Sequence, residues 1–125
     1  MGYESRHDHI RSFAPGIHAV SNGDFDEPWP KVEALKAALG DSQEEDEALL
    51  KLLGDDRLFP DDRLPSTGVP LPWERWLSSI FIRTTEYGTR ASTLLRLGAD
   101  AIAILEQRFC PEGPSGRSAF NFKKA

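Results

Sequence analysis

Long apolar runs are missing from this 125-residue sequence, and so is any excess of positive charge. No stretch approaches the roughly 18 consecutive apolar residues of a membrane-spanning helix, and no basic-then-apolar leader opens the chain. Asp and Glu number 20 against 15 Lys and Arg, which leaves a formal charge of −5. That balance argues against nucleic acid or an anionic membrane as the main partner. Cysteine occurs once, at Cys110, so an internal disulfide is excluded and a reducing compartment fits best. The expectation is a cytoplasmic protein with no membrane span. An apolar share of 39%, with ten glycines besides, is enough for the core of one domain.

Familiar catalytic and metal frames are missing too. His7, Asp8 and His9 place two imidazoles on one face of an extended segment, but no third or fourth ligand stands at metal-binding spacing. They read as part of a polar arm over 1–14. The Asp pairs at 55–56 and 61–62 lack the glycine and terminal glutamate of a calcium loop. Ser78 and Ser79 have no Gly-x-Ser-x-Gly frame. Cys110 has no histidine near it in sequence, and "GPSG" at 113–116 reads as a turn. The acidic run Glu44–Glu47 suits the first turn of a helix, where the dipole favours negative charge on a solvated face. No cofactor is expected.

What is present alternates between helical and extended texture. The first 15 residues read as a short edge strand or an unpaired arm, and "GIHAVSN" (16–22) alternates weakly as a strand. Asp26 offers an N-cap and Pro28 suits a first turn. Trp29, Val32, Leu35 and Leu39 then follow at helical spacing up to Gly40. Ser42 and Glu45 form a capping-box pattern for a second helix ending at Gly54, so the pair should make a helical hairpin. Pro60, Pro65, Pro70 and Pro72 exclude a regular element between, and "WERWLS" can form one helical turn. Four strands are expected after it: "SSIFIRT", "RASTLLRL", "AIAILEQRF" and "GRSAFNFKK". The fold class is therefore α+β, an antiparallel meander covered by the helical hairpin. Ile80, Phe81 and Ile82 are consecutive and apolar, as in a strand buried on both faces, which requires a second layer.

Two stretches carry candidate chemistry. Ser21 and Asn22 lie in "SNGDF", where amides at a strand end can face a carbonyl or oxyanion; the plainer reading is an Asx-type turn. "TTEYGTRAST" (84–93) is dense in hydroxyls. Arg90 is a natural fork for carboxylate or phosphate, with Tyr87, Gly88 and Thr89 beside it; the plainer reading is a Gly88-centred hairpin turn.

Three ordered motifs, "APGIHAVSN…PWPKV…LK", "STGVPLPWERWLSSIFIR" and "EYGTRASTLL", closely resemble the later half of the NRDE family, that of transport and Golgi organisation protein 2. The resemblance runs from about Ala14 to the C-terminus. It implies an αββα fold of the N-terminal-nucleophile-hydrolase type, whose second sheet would supply the missing layer. The family's Asn-Arg-Asp-Glu motif and the cysteine after its initiator methionine belong to its first half. Here Gly2 follows Met1 and no "NRDE" occurs. The chain thus reads as a single partial domain over 1–125, with a separate N-terminal half as a candidate partner.

The resemblance makes Asn22 and Arg90 walls of one ligand pocket. It implies binding or trafficking of a small anionic ligand, haem or acyl-CoA-like. A second implied reading is a cysteine amidohydrolase whose nucleophile lies elsewhere; a third is the inactive fragment of a broken gene.

Overall fold

A computed structural model describes residues 2–4, 9–42 and 44–125, with the backbone alone at 2–4, 9 and 11. His7 and Asp8, and with them the proposed imidazole pair, lie outside the described residues. Within the expected arm, β1 (Gly2–Glu4) pairs antiparallel with β2 (His9–Arg11), so this segment forms a small ribbon of its own.

Residues 16–22 are not a strand. The Ala19 amide donates to the Asp26 carboxylate at 2.8 Å, and the Ala19 carbonyl accepts the Asp26 N–H at 2.8 Å. With both groups taken by one loop residue, none is left for a ladder. Asp26 does not cap the helix. It sits at φ 57°, a left-handed conformation that Asp tolerates better than most residues.

Helix α1 (Pro30–Asp41) starts behind Trp29, with Pro30 in its first turn, and buries Pro30 and Val32. Ser42 closes α1 instead of opening the next helix, because its hydroxyl donates to the Leu39 carbonyl at 3.0 Å. Helix α2 (Asp46–Leu53) begins four residues later with Asp46 and Glu47 in its first turn and ends at Gly54 as expected. The two helices touch, and α2 lies against the sheet. A 3₁₀ turn (Asp61–Arg63) interrupts the proline-rich stretch, and α3 (Leu71–Trp76) takes Pro72 into its first turn. That proline marks a helix start, not an exclusion.

The sheet has three strands, not four: β3 (Ala91–Leu97), β4 (Ala101–Cys110) and β5 (Gly113–Lys123), an antiparallel meander in that order. Gly113, at φ 130°, supplies the positive dihedral of the tight β4–β5 turn, so "GPSG" opens a strand. The segment 78–82 is irregular. Its Phe81 N–H donates to the Asp55 carbonyl at 2.8 Å, and its Ile82 N–H to Thr89 Oγ1 at 2.9 Å. Ser79 Oγ donates to the Phe81 carbonyl. The backbone is satisfied by loop partners, which removes the need for a neighbouring strand.

The chain itself encloses Ser78, Ser79 and Phe81 of this segment, while Ile80 and Ile82 are half-buried. Ser79 is 1% and Phe81 5% exposed, and the Phe81 ring meets Phe109 of β4 edge-on at 4.8 Å. The expected sandwich around Ile80 is therefore corrected. The uncovered apolar surface lies elsewhere, on the outer face of the sheet. Cross-strand register there aligns Leu97, Ile102 and Phe122 in one row and Leu95, Ile104 and Phe120 in the next. Leu97 is 69% exposed and Phe122 53%. Among the described residues the only other sheet is the β1–β2 ribbon.

Candidate functional site

The loop between Ala14 and α1 is tied by His18 and Asp26. His18 Nδ1 lies 2.6 Å from Asp26 Oδ2, its Nε2 lies 2.8 Å from the Ala14 carbonyl, and Lys36 Nζ approaches Asp26 at 3.3 Å. The hydrogen bond to Asp26 raises the His18 pKa above its ordinary value, and the same bond helps to lower Asp26 to about 2. Downstream, Glu27 accepts the Asp24 N–H at 2.8 Å and leads the chain through Trp29 into α1.

Across from this loop, Glu74 of α3 is only 7% exposed, and one of its carboxylate oxygens is held by two hydrogen bonds. Its Oε1 accepts both the Thr67 N–H and the Thr67 hydroxyl at 2.7 Å. These bonds fix the Ser66–Thr67 segment against α3. Ser78 performs the equivalent task for the preceding loop. It accepts the Phe59 N–H at 3.1 Å and donates to the Arg75 carbonyl.

A cleft of about 720 Å³ opens between the two walls, lined by Asn22, Trp29, Lys31, Arg63, Thr67 and Glu74 among others. Lys31 is half-buried, and its ammonium donates to the Leu77 carbonyl at 2.7 Å. Burial lowers its pKa from the ordinary lysine value. The Arg63 guanidinium lies 5.6 Å over the Phe59 ring. Among the described residues neither cation has a carboxylate within ion-pairing distance, whereas Arg57, Arg75, Arg83, Arg96, Arg108 and Arg117 each do.

A smaller cleft of about 220 Å³ lies on the other side of the 78–82 segment, lined by Tyr87, Gly88, Thr89, Arg90, Phe109 and Cys110 among others. The turn above it is held by Thr84, whose hydroxyl donates to the Tyr87 carbonyl, and by the Thr89 N–H on the Ile82 carbonyl at 2.9 Å. A Cβ at Gly88 would stand 3.0 Å from the Ile82 carbonyl oxygen, so only glycine allows this close approach comfortably. The exposed Tyr87 ring meets Trp73 edge-on at 6.1 Å. Arg90 uses its carbonyl to accept the Phe109 N–H, and its exposed guanidinium has no ion-pair partner among the described residues.

The six residues singled out in the sequence are thus divided. Asn22 lines the larger cleft, residues 87–90 line the smaller one, and Ser21 lines neither. Lys31, Arg63, Thr67 and Glu74 were missed. Lys31 lies within "PWPKV", but its bond to the Leu77 carbonyl, 46 residues away, cannot be read from the sequence. Among the described residues no group of three or more His, Cys, Asp or Glu could hold a metal ion. No helix among them is long and apolar enough to cross a membrane.

A family profile, Transport and Golgi organisation 2, matches residues 1–110. The chain belongs to the Transport and Golgi organisation 2 family. No curated protein and no solved structure matches it. The part matched by the family profile contains every residue that lines the larger cleft, and it stops short of β5.

Proposed function

We propose that this member of the Transport and Golgi organisation 2 family binds a small anionic ligand in the larger cleft. One observation carries the reading: Lys31 and Arg63 line that cleft without carboxylate partners among the described residues. Arg63 is exposed and has no carboxylate partner among the described residues, so its fork can take a carboxylate or phosphate, and an anion there would also offset the cost of charging the half-buried Lys31. Asn22 contributes an amide at the rim, with Ser21 behind it in the loop. Arg90, with Tyr87, Gly88 and Thr89, forms a second and smaller anion contact. The family resemblance suggests haem or an acyl-CoA-like molecule as cargo; the first carries carboxylates and the second phosphates. A reducing cytoplasmic location suits the free thiol of Cys110. On the same reading, the bare face of β3–β5 is where the second sheet of an αββα fold would pack, supplied from outside the described residues.

Calorimetry with pyrophosphate, haem and a long-chain acyl-CoA tests the binding. At least one of them should bind, and Arg63→Ala should weaken it. Absence of binding by all three, or unchanged affinity in Arg63→Ala, would remove the larger cleft from consideration.

A further inference from the structure

Lys31 differs from the other lysines of the described chain in what surrounds its amine. Lys36 is ion-paired with Asp26 at 3.3 Å, and Lys51 is on an exposed position of α2. Lys31 is half-buried, lines a cleft of about 720 Å³ and makes its one hydrogen bond to the uncharged carbonyl of Leu77 at 2.7 Å. The carboxylates that share this cleft are held by other groups, Glu27 by the Asp24 N–H and Glu74 by Thr67. The arrangement suits a neutral amine. One N–H continues to serve Leu77 after the proton is lost, so deprotonation leaves no buried group unsatisfied, and the nitrogen lone pair becomes available. The depressed pKa of Lys31 has the same origin, burial without a compensating anion.

We infer that Lys31 is a carbonyl-capturing amine, forming a reversible imine with an aldehyde whose anionic group is held by Arg63. The inference rests on the anion-binding reading of the larger cleft and names the class of ligand, an anionic aldehyde. The Lys31 nitrogen attacks the carbonyl carbon as the C=O π pair moves to oxygen, and one proton passes from nitrogen to that oxygen to give a carbinolamine. The nitrogen lone pair then forms the C=N bond as the C–O bond breaks, and the second nitrogen proton leaves with the oxygen as water. No oxidant or reductant is needed, and hydrolysis returns the free amine and aldehyde. Arg63 acts before the chemistry, by raising the occupancy of aldehydes that carry phosphate or carboxylate.

The test uses the full chain with pyridoxal 5′-phosphate as the anionic probe and pyridoxal as its uncharged counterpart. Added borohydride reduces any imine to a stable secondary amine, and peptide mass spectrometry quantifies labelling at each lysine. With the phosphate probe, Lys31 should label at least about tenfold more than Lys36 or Lys51, the advantage expected of a desolvated lysine. That preference should fall with pyridoxal and in Arg63→Met. Lys31→Arg, which keeps a donor for Leu77, should abolish the site, with circular dichroism reporting the fold. The comparison within the unmodified chain stands even if that variant does not fold.

Equal labelling of Lys31 and Lys51 would overturn the inference. Equal labelling of Lys31 by both probes would overturn the role of Arg63 in it. Pyrophosphate binding without selective Lys31 labelling would refute the amine chemistry and leave the anion site intact. Absence of binding by pyrophosphate, haem and acyl-CoA alike would refute the anion site itself.

Discussion

The segment around Phe81 and the outer face of β3–β5 are both rich in apolar residues and have opposite fates. The first is irregular, with Ser79 and Phe81 almost fully enclosed and Ile80 and Ile82 half-buried. The second is regular and bare, with Leu95, Leu97, Phe120 and Phe122 each more than half exposed. Apolar density thus identifies neither the strands nor the core here. Enclosure follows where loop partners satisfy the backbone. Around Phe81 they come from Asp55 and Thr89, while β3–β5 obtain the same satisfaction from one another and leave a face free. The difference also separates two roles. Ser78 borders the larger cleft and Phe81 and Ile82 the smaller, whereas no residue of the six that form the bare rows lines either one. The irregular segment organises the candidate sites, and the bare face is available for association.

The strongest way to break this comparison is to truncate one residue on each side. Phe81→Ala should cost about 3–5 kcal/mol in chemical denaturation, the usual loss for a buried aromatic, while Leu97→Ala should cost less than about 0.5 kcal/mol. Similar losses would show that enclosure is not what distinguishes the two. Next in size are the binding effects. Arg63→Ala or Arg90→Ala should weaken an anionic ligand by about 1–3 kcal/mol in calorimetry, as for a lost charge-assisted hydrogen bond. A double change on the bare face, Leu97→Lys with Phe122→Lys, should leave that affinity unaltered. The same double variant sharpens the contrast in another way. The unsubstituted chain should self-associate in light scattering, and the variant should shift towards monomer. A monodisperse starting chain would deny the outer face any role in association.

The smallest effect is electrostatic and lies outside both regions, in the His18–Asp26 loop. His18 is raised above its ordinary 6.5, so its contribution is complete below about pH 6.5 and is lost as pH rises through the folded-state value. Asp26 is lowered from 3.8 to about 2, so its contribution is complete above pH 3.8 and is lost as pH falls towards 2. Melting temperature against pH should therefore decline at both ends, and His18→Gln should flatten both limbs, the alkaline one because the imidazole is gone and the acid one because Asp26 loses the bond that lowers it most. Both groups are solvent-accessible, so the shifts in melting temperature should be small.

Much of the sheet was legible in the sequence. "RASTLLRL", "AIAILEQRF" and "GRSAFNFKK" form the expected strands because short turns at Gly98 and Gly113 return the chain antiparallel. The end of α2 at Gly54 and the turn of "WERW" also read correctly. The failures share one cause. At Ala19 and at Ile82, a side chain distant by seven residues in each case occupies the backbone group that a strand would have used. No periodicity reveals such a bond before the loop closes. The candidate site was half legible for a related reason. Asn22 and Arg90 stand out by residue type and turn context, whereas Lys31 and Arg63 acquire meaning only from the carboxylates that fail to reach them.

Position 26 is the feature whose consequences reach furthest along the chain. The residue there must accept a left-handed backbone, receive the Ala19 amide on one oxygen and face His18 with the other. Glycine meets the first demand alone, and asparagine offers one carbonyl oxygen where two acceptors are used. Glutamate has the acceptors on a side chain too long for that backbone. A library of single substitutions should accordingly rank aspartate first at this loop site, by a modest margin, although the residue contributes nothing to the hydrophobic core.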